Sequence, residues 1–123
     1  MPPARTFGLS HVALKVADPE RAANFYVAAF GGRIYYRDAR SVQVQGPGPK
    51  DVLAFELAPP EEIKAGGVAH IGFRLIAPED MEGAIAAVLA AGGRLMEQGL
   101  FAPGCPFAFV ADPDGYLIEL WYE

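Results

Sequence analysis

The chain has two histidines, His11 and His70, and each opens an apolar alternation. The first runs His11-Val12-Ala13-Leu14-Lys15-Val16 and the second His70-Ile71-Gly72-Phe73-Arg74-Leu75. Each half closes with a glutamate in an apolar strand, Ala54-Phe55-Glu56-Leu57 and Leu117-Ile118-Glu119-Leu120. Taken singly, each residue has an ordinary structural explanation. An imidazole in a strand can be satisfied by hydrogen bonds alone. Glu119 sits among residues that read as buried, where an unpartnered carboxylate costs several kcal/mol, and Arg74 or Lys15 could neutralise it. Glu56 could lie on an exposed sheet edge. Coincidence changes the weighing, because a histidine opens and a glutamate closes both halves. If the halves pair with approximate twofold symmetry, His11, Glu56, His70 and Glu119 converge. Two imidazole nitrogens with carboxylate oxygens suit Zn, Ni, Mn, Co or Fe(II).

The elements that must position these residues follow from periodicity. Residues 9–16 alternate, with Val12, Leu14 and Val16 on one face and His11, Ala13 and Lys15 on the other. Asp18-Pro19-Glu20 is a helix start, with Asp18 as N-cap and Pro19 at the first helical position. Ala22, Phe25, Tyr26 and Ala29 share one helical face, and Gly31-Gly32 ends the helix. Short strands are expected over 33–38, 41–45 and 51–58, and 59–67 is a linker with a helical turn near Glu61-Glu62-Ile63. The order then repeats. A strand is expected over 68–75, a helix opens at Pro78-Glu79-Asp80, and Met81, Ile85, Val88 and Leu89 form its apolar stripe. Gly92-Gly93 stops it. Residues 94–97 are a short strand and 100–106 a loop. Strands over 107–111 and 116–122 flank the hairpin turn Asp112-Pro113-Asp114-Gly115. His70 follows His11 by 59 residues, Pro78 follows Pro19 by the same 59, and Glu119 follows Glu56 by 63. This drift reads as short insertions in the loops of the second half.

Composition bounds the function. The chain has 123 residues, 52% of them hydrophobic and 20% charged, which excludes a disordered polymer. The formal charge is −5 and no basic cluster tracks a phosphate backbone, so no nucleic-acid partner is expected. No uncharged run is long enough for a membrane span, and residues 1–6 lack the apolar core of a signal peptide. The single cysteine, Cys105, cannot form an internal disulfide. These features fit a cytoplasmic location.

The sequence resembles the vicinal oxygen chelate (VOC) superfamily, which includes glyoxalase I, methylmalonyl-CoA epimerase, extradiol dioxygenases and the fosfomycin- and bleomycin-resistance proteins. The residues that carry the likeness are His11 to Leu14 with Asp18 to Tyr26, Gly67 to Phe73, and Phe109-Val110-Ala111-Asp112-Pro113-Asp114-Gly115-Tyr116-Leu117-Ile118-Glu119-Leu120. The resemblance implies an α+β fold. Two βαβββ modules, 8–58 and 67–123, would form a curled, mostly antiparallel sheet cleft within a single domain over 1–123. It also implies a homodimer.

Among members, the ligand pattern is closest to glyoxalase I, and by position the metal ligands are His11, Glu56, His70 and Glu119. The implied activity is a metal-dependent lyase or isomerase reaction on a small vicinal-oxygen substrate. Glu119 would be the main base and Glu56 the second, taking a proton next to a metal-bound carbonyl. Arg74, Lys15 and Trp121 are candidate substrate contacts. Ala58-Pro59-Pro60 stands where the resemblance would place an amide side chain for glutathione, which argues against assuming that substrate and leaves glutathione use open. Two other functions fit the resemblance: a non-catalytic small-molecule or antibiotic binder, and an Fe(II) extradiol-type dioxygenase. The second lacks a third histidine to act as acid and base.

Overall fold

A computed structural model describes residues 1–5, 7, 9–64 and 67–123. Gly8, the expected start of the first module, and Ala65-Gly66 of the expected linker lie outside the described residues. The first module comprises strand β1 (Val12–Val16), helix α1 (Pro19–Phe30), and strands β2 (Arg33–Arg37), β3 (Ser41–Gln45) and β4 (Val52–Leu57). A 3-10 turn at Pro60–Glu62 follows. The second comprises β5 (Ile71–Arg74), a 3-10 turn at Pro78–Asp80 leading into α2 (Met81–Ala90), and strands β6 (Arg94–Ala102), β7 (Cys105–Ala111) and β8 (Leu117–Trp121).

The α1 start is as its residues dictate. Pro19 sits at the helix N-terminus and the Asp18 carboxylate accepts from the Arg21 amide at 3.1 Å. Gly31 closes the helix at φ 79°, a conformation that costs a residue with a Cβ but not glycine. Each module forms its own four-stranded sheet, ordered β1-β4-β3-β2 and β5-β8-β7-β6. In each, the first pair is parallel and the other two are antiparallel. The duplication extends to irregularities: a bulge between Ile34 and Tyr36 in β2 has its counterpart between Leu95 and Glu97 in β6.

Both modules contribute to one core. Leu14, Val16, Val42, Val44, Leu53 and Phe55 come from the first sheet, and Ala108, Val110, Ile118 and Leu120 from the second. Between them stand Ala22, Phe25 and Tyr26 of α1 and Met81, Ile85 and Val88 of α2. α1 packs on β3 and β4, α2 on β6, β7 and β8, and the two helices on each other. The opposite faces of both sheets, carrying His11-side and His70-side residues, are therefore turned away from this core. At one close approach, a Cβ on Gly93 would stand 2.6 Å from Val88 Cγ1, 2.8 Å from the Ala111 carbonyl oxygen and 2.9 Å from Phe25. Gly93→Ala is therefore expected to destabilise by roughly 1–3 kcal/mol. Chemical denaturation checks this, and a variant equal to wild type would show that the α2–β6 corner yields freely.

A polar joint ties the modules together. The Tyr26 hydroxyl donates to Asp112 Oδ2 at 2.8 Å, and the amides of Asp114 and Tyr116 both donate to Asp112 Oδ1 at 2.9 Å. Asp114 Oδ1 accepts from the Ala17 amide and from Arg21, each at 3.1 Å. The Tyr116 hydroxyl donates to the Lys15 carbonyl at 2.8 Å. Burial holds the Asp112 carboxyl above its ordinary range, against the hydrogen bonds it accepts. Burial, with the Asp112 charge beside it, pushes the Tyr26 hydroxyl well above the usual phenol range.

Three expectations change. Residues 100–106 are not a loop: β6 continues to Ala102 and turns through Pro103-Gly104 into β7, which begins at Cys105. Gly104 at φ 79° supplies the left-handed residue of that tight turn. The opening strands are also shorter than their alternation, so His11 and His70 each stand one residue before a strand. In α2, Leu89 is half exposed while the rest of its expected stripe is buried.

Candidate metal centre

The open faces compare row by row, because residues paired across a sheet project to the same side. In the second sheet, Gly72 pairs with Glu119, which pairs with Phe109, which pairs with Glu97. The next row is Arg74, Trp121, Phe107 and Gly99. His70 stands two residues before Gly72, on the same side. Its Nε2 lies 3.4 Å from Glu119 Oε2, and its ring meets Phe109 edge to face at 5.4 Å. The Glu119 side chain is 17% exposed and that of His70 43%. The nearest polar partner of Glu119 is therefore His70, which forms an ion pair with it only when the imidazole is protonated. The other neutralisers considered for it are engaged elsewhere. Lys15 pairs with Glu62 at 3.2 Å. Arg74 lies 5.8 Å from the Trp121 ring and 5.7 Å from the Tyr122 ring, and donates to the Glu123 carbonyl.

In the first sheet the corresponding row is Ala13, Ala54 and Gln43, and the next is Lys15, Glu56 and Ser41. His11 stands two residues before Ala13, exposed, with its Nδ1 2.9 Å from the Ser10 hydroxyl. The residue that corresponds to Glu119 in register is thus Ala54. Glu56 lies two residues beyond it, about 6–7 Å along the strand, beside Lys15 and in the position that Trp121 holds in the other module. It remains on the open face and exposed.

One chain accordingly brings His70 and Glu119 together and leaves His11 and Glu56 on another face. Among the described residues, no three His, Cys, Asp or Glu side chains form a group that could hold a metal ion. The His70–Glu119 pair is compatible with half of such a group. Two donors about 2.1 Å from one tetrahedral ion stand about 3.4 Å apart, which is their separation here.

Sequence reasoning passed over Glu97 and the Tyr35–Gln43 hydrogen bond on the first face. The signal for Glu97 was hidden by the bulge before it. Simple alternation from Leu95 puts Glu97 on the helix side, and the extra residue returns it to the open face.

A model of the Glyoxalase/Bleomycin resistance protein/Dioxygenase superfamily matches residues 8–120. The chain belongs to this superfamily. Its fold recurs in a glyoxalase-related enzyme from Fulvimarina pelagi, at 22% identity and TM-score 0.75, with 96% of this chain and 89% of that one covered. It recurs in a glyoxalase/bleomycin resistance protein/dioxygenase family enzyme from Burkholderia phytofirmans PsJN, at 17% identity and TM-score 0.76, covering 93% and 97%. The fosfomycin resistance protein FosX from Mesorhizobium loti gives 19% identity and TM-score 0.77, covering 97% and 94%. At such identities these likenesses establish the fold alone. No curated protein matches the chain. Superfamily members are often enzymes and typically use a divalent metal. Among the described residues, no helix is long and apolar enough to cross a membrane.

Proposed function

We propose that the protein is a metal-dependent lyase or isomerase of glyoxalase I-like chemistry, acting as a homodimer on a small vicinal-oxygen substrate. The observation that supports this reading best is the His70–Glu119 pair on an open sheet face, with a second histidine-bearing face on the other module. His70 and Glu119 of one chain with His11 of a second chain would hold the ion. The registers favour a different task for Glu56, which lies one row further on beside Lys15. It is a substrate-side carboxylate, suited to accepting a proton from the carbon next to the coordinated oxygen. Lys15 and Arg74 occupy equivalent positions in the two modules and would meet an anionic group of the substrate. A bound divalent ion supplies Lewis-acid stabilisation of the oxyanion that forms. The metal is one of Ni, Zn, Co, Mn or Fe.

Elemental analysis followed by thermal shift with these ions tests the reading. At a metal concentration a hundredfold above Kd, binding stabilises the fold by about 2.7 kcal/mol. Glu119→Gln is expected to remove that stabilisation, whereas Glu56→Gln keeps it and loses turnover by roughly 100-fold or more. A protein that carries no divalent metal and gains no stability from any of these ions sinks the proposal and leaves a non-catalytic binder. Two histidines and one carboxylate are also the donors of Fe(II) oxygenases, so oxygen consumption with catechols and Fe(II) is the measurement that separates that second reading.

A further inference from the structure

Glu97 extends the Gly72–Glu119–Phe109 row by one strand, about 10 Å from Glu119 across the sheet. It borders a hollow of about 410 Å³ whose other walls are Met96, Phe109 and Leu117. The hollow is open to solvent, with Met96 and Glu97 exposed on its rim, and its size suits one side of a small organic ligand. Three of the four walls are apolar, and the fourth carries a negative charge. None of the ion pairs among the described residues includes Glu97. Arg94 lies opposite Ala111 in the row of Leu117, on the same open face, but no ion pair among the described residues joins it to Glu97. Leu117 precedes Glu119 by two residues and Phe109 pairs with it, so the hollow opens directly beside the candidate metal centre.

An exposed carboxylate beside apolar walls still selects by charge, though solvent weakens the effect. An anion would face both Glu97 and Glu119. A neutral apolar molecule would fill the hollow but leave the carboxylate to water. An ammonium group satisfies Glu97 beside the Phe109 ring. The thioether of Met96 adapts to a varied apolar body. We propose that this hollow binds the cationic end of an organic molecule, a protonated amine carried on an aryl or alkyl body. The inference depends on the proposed function only in taking this sheet face as the substrate face; it requires no metal.

Calorimetric titration with 2-phenylethylamine, 2-phenylethanol and phenylacetate, each with EDTA and again with Zn, tests it. With EDTA the amine is expected to bind roughly three- to tenfold more tightly than the alcohol, with phenylacetate weakest. Glu97→Gln should bring the amine to the level of the alcohol and leave the alcohol unchanged. Glu97→Asp should keep part of the preference, since it retains the charge. Equal binding of amine and alcohol, an unchanged preference in Glu97→Gln, or binding of none of the three overturns the proposal. The two readings fail separately. Loss of Zn binding with the amine preference intact sinks only the metal centre. Loss of the preference with Zn binding intact sinks only this site.

Discussion

Mixing a His11→Ala chain with a His70→Ala chain is expected to restore metal binding that neither variant retains alone. The expectation starts from where the donors stand. The helix-facing sides of both sheets merge in one core, and the faces bearing the two histidines point away from it. His70 and Glu119 are 3.4 Å apart, yet among the described residues no third His, Cys, Asp or Glu joins them. Two chains related by a twofold axis would solve this by isologous pairing, the first module of each facing the second module of the other. Removing a direct ligand should weaken binding by at least about 100-fold, since even outer partners of a ligand are worth 10–100-fold. In a mixed dimer one site carries both substitutions and the other carries neither. Random reassortment should therefore restore about a quarter of the wild-type metal content, by the closed symmetry of such dimers. Metal content after denaturing and refolding the mixture reads this directly. If all donors belonged to one chain, mixing would restore nothing, and the shared-site reading would fall.

How far the sequence revealed this site depends on which property is asked about. The order of elements was legible because each signal is local: Asp18 caps a helix whose first residue is Pro19, Gly31 ends it, and a period of two marks each strand. The face on which Glu56 stands was legible for the same reason. Its row was not. A slip of one residue moves a side chain to the other face and breaks the hydrophobic pattern, whereas a slip of two leaves the pattern untouched. Glu56 differs from the position of Glu119 by just such a step of two, so alternation could not detect it. Only the pairing of β1 with β4 decides that Ala54 stands opposite Ala13. The full length of β6 was missed for a related reason. Its residues 94–102 are almost all exposed, so no buried stripe marks them. Backbone pairing to β7 holds that strand more than side-chain burial does.

Asp112→Ala is expected to cost about 3–5 kcal/mol, a large part of the 5–15 kcal/mol that stabilises a typical domain. Asp112 is 2% exposed and accepts three hydrogen bonds, from Tyr26 and from the amides of Asp114 and Tyr116. Alanine leaves all three donors without an acceptor in a dry interior, at about 1–3 kcal/mol each when relaxation recovers nothing. Asp112→Asn should lie within about 1 kcal/mol of wild type, because its oxygen keeps both amides and its amide group can donate to the Tyr26 oxygen. The pH dependence separates charge from shape. Burial raises the Asp112 carboxyl in the folded state, so the folded chain holds its proton more tightly than the unfolded chain does. The stability this gives is complete below the ordinary aspartate value of about 3.9 and is lost as pH rises through the raised value. Tyr26 is raised likewise, so a second loss follows in strongly alkaline solution, beyond about pH 10. Asp112→Asn should flatten the first loss and shrink the second, because burial still raises Tyr26 but the Asp112 charge no longer does. Denaturation curves across acidic to alkaline pH measure both. An Asp112→Ala protein within about 1 kcal/mol of wild type would show that water or a neighbouring group replaces the carboxylate. The joint matters to the site because it binds α1 of one module to the β7–β8 turn of the other. Together with Asp114 on Ala17 and Tyr116 on Lys15, it fixes the angle between the two open faces. A chain with that joint loosened would hold the His70–Glu119 pair and still present it wrongly to a second copy.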